Sequence, residues 1–133
     1  MTNLTIGKLA QRAEVSKVTI RYYERCGLIP EAQRSDAGYR LYSEAVLTPL
    51  HFISNAKAAG FSLSEISELL ALKKDSHATS RDVKNRVLAK AQMVKEKIAL
   101  LQALERDLQK LADSCDGKVD LDECPILGSF YNE

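Results

Sequence analysis

The stretch RDVKNRVLAKAQMVKEKIALLQALERDLQKLADS, residues 81–114, decides the fold of this chain. It contains no glycine and no proline, and its apolar residues recur at intervals of three or four. This spacing predicts one apolar face of an α-helix, close to a heptad repeat with one irregularity near Leu104. The apolar positions are Val83, Val87, Ala91, Val94, Ile98, Leu101, Leu104, Leu108 and Leu111.

A helix over residues 81–114 would be roughly 50 Å long, more than a chain of this size needs for internal packing. Because one helix cannot bury its own apolar stripe, we expect the same helix of a second copy to cover it, antiparallel or parallel. Packing of the helix within one subunit is the alternative. We expect Ser80 to be the N-cap, with Asp82 in the first turn, where negative charge suits the helix dipole.

The composition is that of a soluble globular protein, with 45% apolar and 28% charged residues among 133. No apolar run reaches the roughly 18 residues of a membrane helix, and no signal-peptide core begins the chain. Three cysteines, an odd number, favour reduced thiols and a cytoplasmic protein. Charge is uneven: residues 1–60 carry a net charge of +3 and residues 113–133 a net charge of −5, which suggests different partners for the two ends.

Two short helices separated by a tight turn are predicted near the N-terminus. Residues 5–13 place apolar side chains on one face, and Ser16 caps a second helix from Lys17 to Cys26, which Gly27 ends. The second helix is rich in Ser, Thr, Arg and Tyr, as in a helix-turn-helix. Many small helical pairs share this pattern, so it is weak by itself.

A β-hairpin is predicted next, and it strengthens the prediction of a helix-turn-helix. Residues 34–42 hold the turn sequence Asp36-Ala37-Gly38 and then alternate as a strand does. Beside a helix-turn-helix, such a hairpin is a wing whose Arg34 and Arg40 can reach phosphates.

Two more helices are expected before the long one. The first runs from Ser43 to about Ala59; Pro49 within it predicts either a kink or a regular helix that begins near Thr48. The second opens with a capping box from Ser62 to Glu65, and a polar hinge over residues 75–79 follows it.

These residues together resemble the MerR family of transcription regulators, and the resemblance covers essentially the whole chain. It implies a mainly α fold: a winged helix-turn-helix head, a long antiparallel coiled-coil dimerisation helix and a C-terminal metal-binding loop. The segments that carry it are Ile6-Gly7-Lys8-Leu9-Ala10, Thr19-Ile20-Arg21-Tyr22-Tyr23-Glu24, Gly27-Leu28-Ile29, Arg34-Ser35, Gly38-Tyr39-Arg40-Leu41-Tyr42 and Gly60-Phe61-Ser62-Leu63-Ser64-Glu65-Ile66.

The resemblance also implies a function. Family members are homodimers that bind a palindromic operator in a promoter with an over-long spacer, and they activate RNA polymerase there by bending and untwisting the DNA. We expect a DNA-binding domain over residues 1–74, a hinge over 75–80, the dimerisation helix over 81–114 and an effector segment over 115–133. The residues expected at DNA are Ser16, Lys17, Val18, Thr19, Arg21 and Tyr22 of the second helix and Arg34, Tyr39 and Arg40 of the wing.

Cys115 and Cys124 enclose a short loop directly after the long helix. Pro125 suits the first position of a final helix, so Cys124 would lie at a helix N-terminus, where free N–H groups stabilise a thiolate. Spacing alone favours a reduced or disulfide-bonded pair that ties down the loop. The family resemblance favours metal binding, and soft thiolates select ions such as Cu(I) and Zn(II).

The identity of the metal rests on two features that disagree. Ser80 occupies a position that is Ser in family sensors of Cu(I), Ag(I) and Au(I) and Cys in sensors of divalent ions. The eight residues between the two cysteines are instead more typical of zinc and mercury sensors. We expect Cu(I) and the copper-efflux subgroup, since two thiolates suffice for a monovalent ion. The alternative is a divalent ion (Zn, Hg, Cd, Pb, Co or Ni) or a thiol redox switch without metal, and residues that would complete a divalent site are His77, Asp120, Asp122 and Glu123.

An enzyme is the main competing class. The sequence has no nucleotide-binding loop and no recognisable catalytic acid–base or Ser-His-Asp spacing, and it holds only two histidines. We therefore expect no enzymatic activity. Cys26, at the end of the second helix, is expected to be a small buried thiol.

Overall fold

The computed structural model describes residues 2–132, and its architecture is mainly helical. The chain forms two compact units, one up to Val83 and one from Lys84 onward. The elements are β1 (Asn3–Thr5), α1 (Ile6–Ala13), α2 (Lys17–Arg25), β2 (Gln33–Arg34), β3 (Arg40–Ser43), α3 (Leu47–Ala58), α4 (Leu63–Lys74), α5 (Ser80–Asp113) and α6 (Pro125–Tyr131).

The wing is part of a three-stranded antiparallel sheet with the strand order β1-β3-β2. The predicted hairpin is confirmed, with Arg34 opposite Arg40. Strand β1 was not predicted, because three residues are too short to show an alternating pattern. It pairs Leu4 with Tyr42 of β3, and both side chains are buried, so the wing is fixed to the N-terminus of the chain.

The core of the first unit lies between this sheet and helices α1 to α4. Both predicted short helices are confirmed, and Ser16 caps α2 as expected. Gly27, with φ at 74°, follows the C-cap of α2 in the left-handed conformation that glycine adopts readily. The fully buried side chains of the core are Leu9, Ile20, Tyr42, Leu50, Ile53 and Ile66.

Pro49 is accommodated by a late helix start. A short 3-10 helix covers Glu44–Val46, and the regular helix α3 begins at Leu47. Pro49 is then the third residue of α3, and its missing N–H belongs to the first turn, where N–H groups have no partner within the helix. Of the two predicted alternatives, the shortened helix is confirmed.

Helix α4 begins with the predicted capping box. The Oγ atom of Ser62 accepts the N–H of Glu65 at 3.2 Å, and the Glu65 carboxylate accepts the N–H of Ser62 at 2.8 Å. These two bonds satisfy N–H groups that the start of the helix would otherwise leave unpaired. Ile66, one residue further, is fully buried in the core.

Helix α5 covers nearly the whole predicted stretch. The expectation that Ser80 is the N-cap is wrong: Ser80 is the first helical residue, and Thr79 precedes the helix. The N–H of Thr79 donates to the carboxylate of Asp82, in the first turn of α5, at 2.8 Å. No residue of α5 is buried, and ten of its large apolar side chains are 44% to 62% exposed. Within residues 2–132, no helix has the length and apolarity of a membrane span.

Candidate DNA-binding surface and metal centre

Helix α2 presents polar and basic side chains on its outer face. The Oγ atom of Ser16 accepts the N–H of Thr19 at 3.0 Å and lies 2.7 Å from the Thr19 hydroxyl. Both hydroxyl groups therefore hold the start of the helix in place. Val18, in the first turn of α2, is 72% exposed.

Three arginines from α2 and the wing lie together. Arg21, Arg34 and Arg40 line two cavities of about 250 Å³ and about 310 Å³, which we call the arginine cleft. Tyr39 lines the smaller cavity and is largely exposed. The Nη1 group of Arg34 donates to the carbonyl oxygen of Gly38 at 2.8 Å, which holds this arginine against the wing turn. The cleft concentrates positive charge where a phosphate backbone would be attracted.

Glu24 lies in this basic surface and accepts three hydrogen bonds. Its carboxylate accepts the hydroxyl of Tyr42 at 2.6 Å, the N–H of Ala32 at 2.7 Å and the Nη1 group of Arg40 at 3.4 Å. Burial raises the pKa of Glu24, but these bonds and the charges of Arg40 and Arg21 outweigh it and lower the pKa overall. Sequence reasoning missed Glu24; an acidic residue in an otherwise basic helix is the signal that could have found it.

The C-terminal end of α2 differs from expectation at Cys26. The thiol was expected to be buried and is instead exposed, because the buried face of α2 is formed by Ile20 and Tyr23. Of the two adjacent tyrosines, Tyr23 is in the core and Tyr22 is exposed. A hydrogen bond with Cys26 raises the pKa of Tyr22. The guanidinium of Arg25 lies 5.9 Å from the centre of the Tyr22 ring, a cation–π distance.

The second unit brings Cys115 and Cys124 together. Cys115 follows the end of α5, and its sulfur accepts the N–H of Gly117 at 3.4 Å. Gly117, with φ at 78°, turns the chain, and a 3-10 helix over Leu121–Glu123 leads back to Cys124. As predicted, Pro125 is the first residue of α6 and Cys124 precedes it.

The sulfur of Cys124 lies at the N-terminus of α6. The N–H of Leu127 lowers the pKa of Cys124 most strongly, burial opposes this, and the N–H of Ile126 and the side chain of Cys115 lower it further. The result is a lowered pKa, so the thiolate forms more readily than at an ordinary cysteine. Two adjacent thiols, one of them inclined to ionise, are a donor set that suits a soft metal ion.

Harder ligands do not join this pair in the described part of the chain. Among residues 2–132, no three His, Cys, Asp or Glu side chains are grouped closely enough to hold a metal ion. Asp120, Asp122 and Glu123 therefore form no site with the cysteines. His77 is exposed in the segment between α4 and α5, where its N–H donates to the Asp75 carboxylate at 2.9 Å. Ser80 is exposed at the start of α5.

Two family descriptions match the chain: "MerR HTH family regulatory protein" over residues 4–73 and "MerR, DNA binding" over residues 47–111. The mercuric resistance operon regulatory protein of Bacillus cereus is 43% identical over 128 residues, 96% of this chain and 97% of that protein. The regulator ZntR of Escherichia coli K12 is 44% identical over 113 residues, 84% of this chain and 80% of that protein.

A solved structure confirms the predicted fold. The transcription regulator PbrR691 of Ralstonia metallidurans CH34, in complex with lead(II), matches with a TM-score of 0.86 and 38% identity, over 96% of this chain and 98% of that chain. The family consists of regulators rather than enzymes, as the sequence predicted. The chain therefore belongs to the MerR family and is a metal-responsive, DNA-binding transcription regulator.

Proposed function

We propose that this protein is a Cu(I)-responsive regulator that activates a metal-efflux or detoxification promoter when the ion binds Cys115 and Cys124. The observation that carries the proposal is the adjacency of these two sulfur atoms, with no third His, Cys, Asp or Glu grouped with them among residues 2–132. Two thiolates satisfy a monovalent soft ion, whereas a divalent ion usually takes three or four protein or water ligands.

Ser80 supports the same choice. In the resemblance to metal-sensing regulators, this position supplies a thiol in sensors of divalent ions, and here it supplies a hydroxyl, which is a poor ligand for a soft metal. Ser80 also has a structural role, since it is the first residue of α5. A hydroxyl with a structural role at this position fits a metal site that has only two protein ligands.

A divalent ion is the second candidate, and specific observations favour it. Mercury and lead appear in the names of two similar proteins, and the spacing of eight residues between the cysteines resembles that of divalent sensors. Zn(II), Pb(II) or Co(II) would require further ligands from outside this chain or from water, whereas Cu(I) needs no such addition. Hg(II) can also bind two thiolates in a line, so the choice of Cu(I) over Hg(II) rests on Ser80.

We assign DNA contact to α2 and the wing. Lys17, Val18, Thr19, Arg21 and Tyr22 would face a groove, with Ser16 at the start of the helix, while Arg34, Tyr39 and Arg40 would bind phosphates. The exposed Val18 and the arginine cleft support this assignment. The target is a palindromic promoter operator at which RNA polymerase also binds, in the cytoplasm.

Helix α5 is proposed to form an antiparallel coiled coil with its copy in a second subunit. Ten large apolar side chains of α5 are exposed in the single chain, among them Val94, Ile98, Leu101 and Leu108. A row of this length is costly in water and is covered in a two-fold dimer, which also matches a palindromic operator.

The response to metal would then depend on the C-terminal loop. A soft cation bound by Cys115 and Cys124 offsets the repulsion between two thiolates. The loop between them, residues 116–123, could then hold one conformation, and the dimer geometry that accommodates it would become more populated. Typical coupling of this kind is about 1–3 kcal/mol.

The proposal is tested by measuring transcription from a promoter that the protein binds, at increasing concentrations of each metal ion. Wild-type protein should activate with Cu(I) and not with Zn(II), Hg(II), Co(II) or Ni(II). Ser80→Ala should keep the Cu(I) response, while Ser80→Cys should add a response to Zn(II) or Hg(II), because in the proposed antiparallel dimer it supplies a third thiol to the metal loop of the other subunit. Wild-type activation by a divalent ion alone would favour the second candidate.

A further inference from the structure

Glu24 joins the helix of the arginine cleft to the wing. The residue belongs to α2, whereas its three partners lie outside that helix: Ala32 precedes β2, and Arg40 and Tyr42 belong to β3. The Glu24 side chain is only 12% exposed, and Tyr42 is fully buried, so the link is set into the body of the head. One carboxylate thus fixes where β3 lies relative to α2.

The Glu24 carboxylate lies among basic side chains. It lines the larger cavity of the arginine cleft together with Arg21, Arg25, Arg34 and Arg40. A negative charge here weakens the attraction for any polyanion, and it holds the guanidinium of Arg40 at 3.4 Å. A basic surface selected only for affinity would have no such group.

Operator binding and non-specific binding make different demands on this surface. Non-specific affinity depends on the number of positive charges near phosphates, whereas operator affinity also requires helix and wing to engage the duplex at the same time. A rigid link between α2 and β3 favours operator binding alone, whereas the charge of Glu24 weakens binding to both kinds of DNA.

We propose that Glu24 is a positioning residue that determines DNA specificity, because it fixes the wing to α2 and limits charge-driven binding. The inference rests on the proposed assignment of α2 and the wing as the DNA surface. It extends that assignment to a residue that need not touch DNA.

Equilibrium binding of the full-length protein to two duplexes tests this proposal: an operator and a scrambled sequence of equal length, at one salt concentration. Glu24→Gln keeps the shape of the side chain and removes the charge. Its operator affinity should fall about tenfold, as expected for the loss of a charge-assisted hydrogen bond. Its affinity for the scrambled duplex should stay equal or rise by up to about threefold, since one repulsive charge is gone.

Glu31→Gln is the matched control. Glu31 lines the same cavity and is exposed, so its removal changes the charge without cutting the link. Both affinities of this variant should rise by the same factor, which leaves the specificity ratio unchanged. Tyr42→Phe keeps every charge and the buried ring but removes one hydrogen bond; it should lose operator affinity and keep scrambled-duplex affinity.

The outcomes are distinct. A circular dichroism spectrum and a thermal midpoint equal to those of the wild type show that a variant is folded, so a selective loss on the operator then supports the proposal. Equal shifts on both duplexes in Glu24→Gln and Tyr42→Phe, as in Glu31→Gln, would overturn it. If the wild-type protein binds the two duplexes equally well, the proposed DNA surface is overturned as well. If the wild-type protein prefers the operator and the variants keep both of its affinities, only the role of Glu24 is overturned.

Discussion

The side chain of Cys115 lies against the sulfur of Cys124, although eight residues separate them in the chain. The turn at Gly117 and the 3-10 helix over Leu121–Glu123 make this return possible. The N–H groups at the start of α6 then supply the positive potential that favours a thiolate at Cys124. The sequence places these features in order, and the structure brings the two sulfur atoms together.

Replacing either cysteine of this pair should separate sensing from DNA binding. Cys115→Ser or Cys124→Ser should abolish the metal response, because one thiolate alone does not satisfy the ion. Operator affinity should change by less than about twofold, since both cysteines belong to the second unit and the candidate DNA surface to the first. Electrophoretic mobility shifts and metal-titrated transcription on the same preparation measure the two properties. A Cys26→Ser variant, which should keep both, is the control.

The ionisation of Cys124 gives a prediction about pH. Because the pKa of Cys124 is lowered from its ordinary value, the thiolate should form at a lower pH than in an unstructured chain. Alkylation of metal-free protein by iodoacetamide, followed at this site by mass spectrometry, should reach half of its maximal rate below the ordinary thiol pKa of about 8.5. The same measurement in denaturant should move the midpoint up to the ordinary value. Equal midpoints in folded and denatured protein would refute the role of the α6 N-terminus.

The dimer prediction concerns the exposed face of α5. Ile98→Lys combined with Leu101→Lys places two charges in the expected seam, at a cost of several kcal/mol. Sedimentation at micromolar concentration should show a monomer. Ala99→Lys combined with Gln102→Lys adds the same two charges at the same spacing off the seam and should remain dimeric. A dimeric Ile98/Leu101 variant would mean that another surface joins the subunits.

Arg40 allows a test of the wing. Arg40→Ala should weaken binding to both operator and scrambled DNA and reduce the salt dependence by about 0.9 in log–log slope, the value of one phosphate contact. The loss should be larger on the operator, because Arg40 is also a partner of Glu24. Arg12→Ala removes the same charge from α1, where Arg12 pairs with Glu44 at 2.9 Å, and should leave the slope nearly unchanged. Unaltered binding by Arg40→Ala across salt concentrations would mean that the wing does not clamp phosphates in this way.

The sequence predicted the helices well because their signals are local. The stripe of α5, the capping box at Ser62 and the terminator Gly27 each depend on residues within one or two turns. The three-residue strand β1 was missed, since its pairing with β3 depends on residues about forty positions away. The N-cap of α5 was placed one residue late because Thr79 and Ser80 are both good capping residues.

The candidate site was predicted less completely than the fold. The two cysteines and the role of Pro125 followed from spacing, but the network of Glu24 joins three segments that are apart in sequence. The exposure of Cys26 likewise depends on which face of α2 the core covers, and helical periodicity over nine residues left that open. Long-range packing determines both the Glu24 network and the exposure of Cys26, and no local sequence pattern encodes that packing.

The central claim is that Cys115 and Cys124 bind one monovalent soft ion per subunit without a third protein ligand. An anaerobic titration of reduced protein with Cu(I), against a chelator of known affinity, tests it most directly, with Zn(II) titrated in parallel. The claim predicts one Cu(I) per subunit, lost in Cys124→Ser, together with an X-ray absorption spectrum of sulfur ligands only. Tight Zn(II) binding with nitrogen or oxygen ligands, and no Cu(I) retained against the chelator, would contradict it.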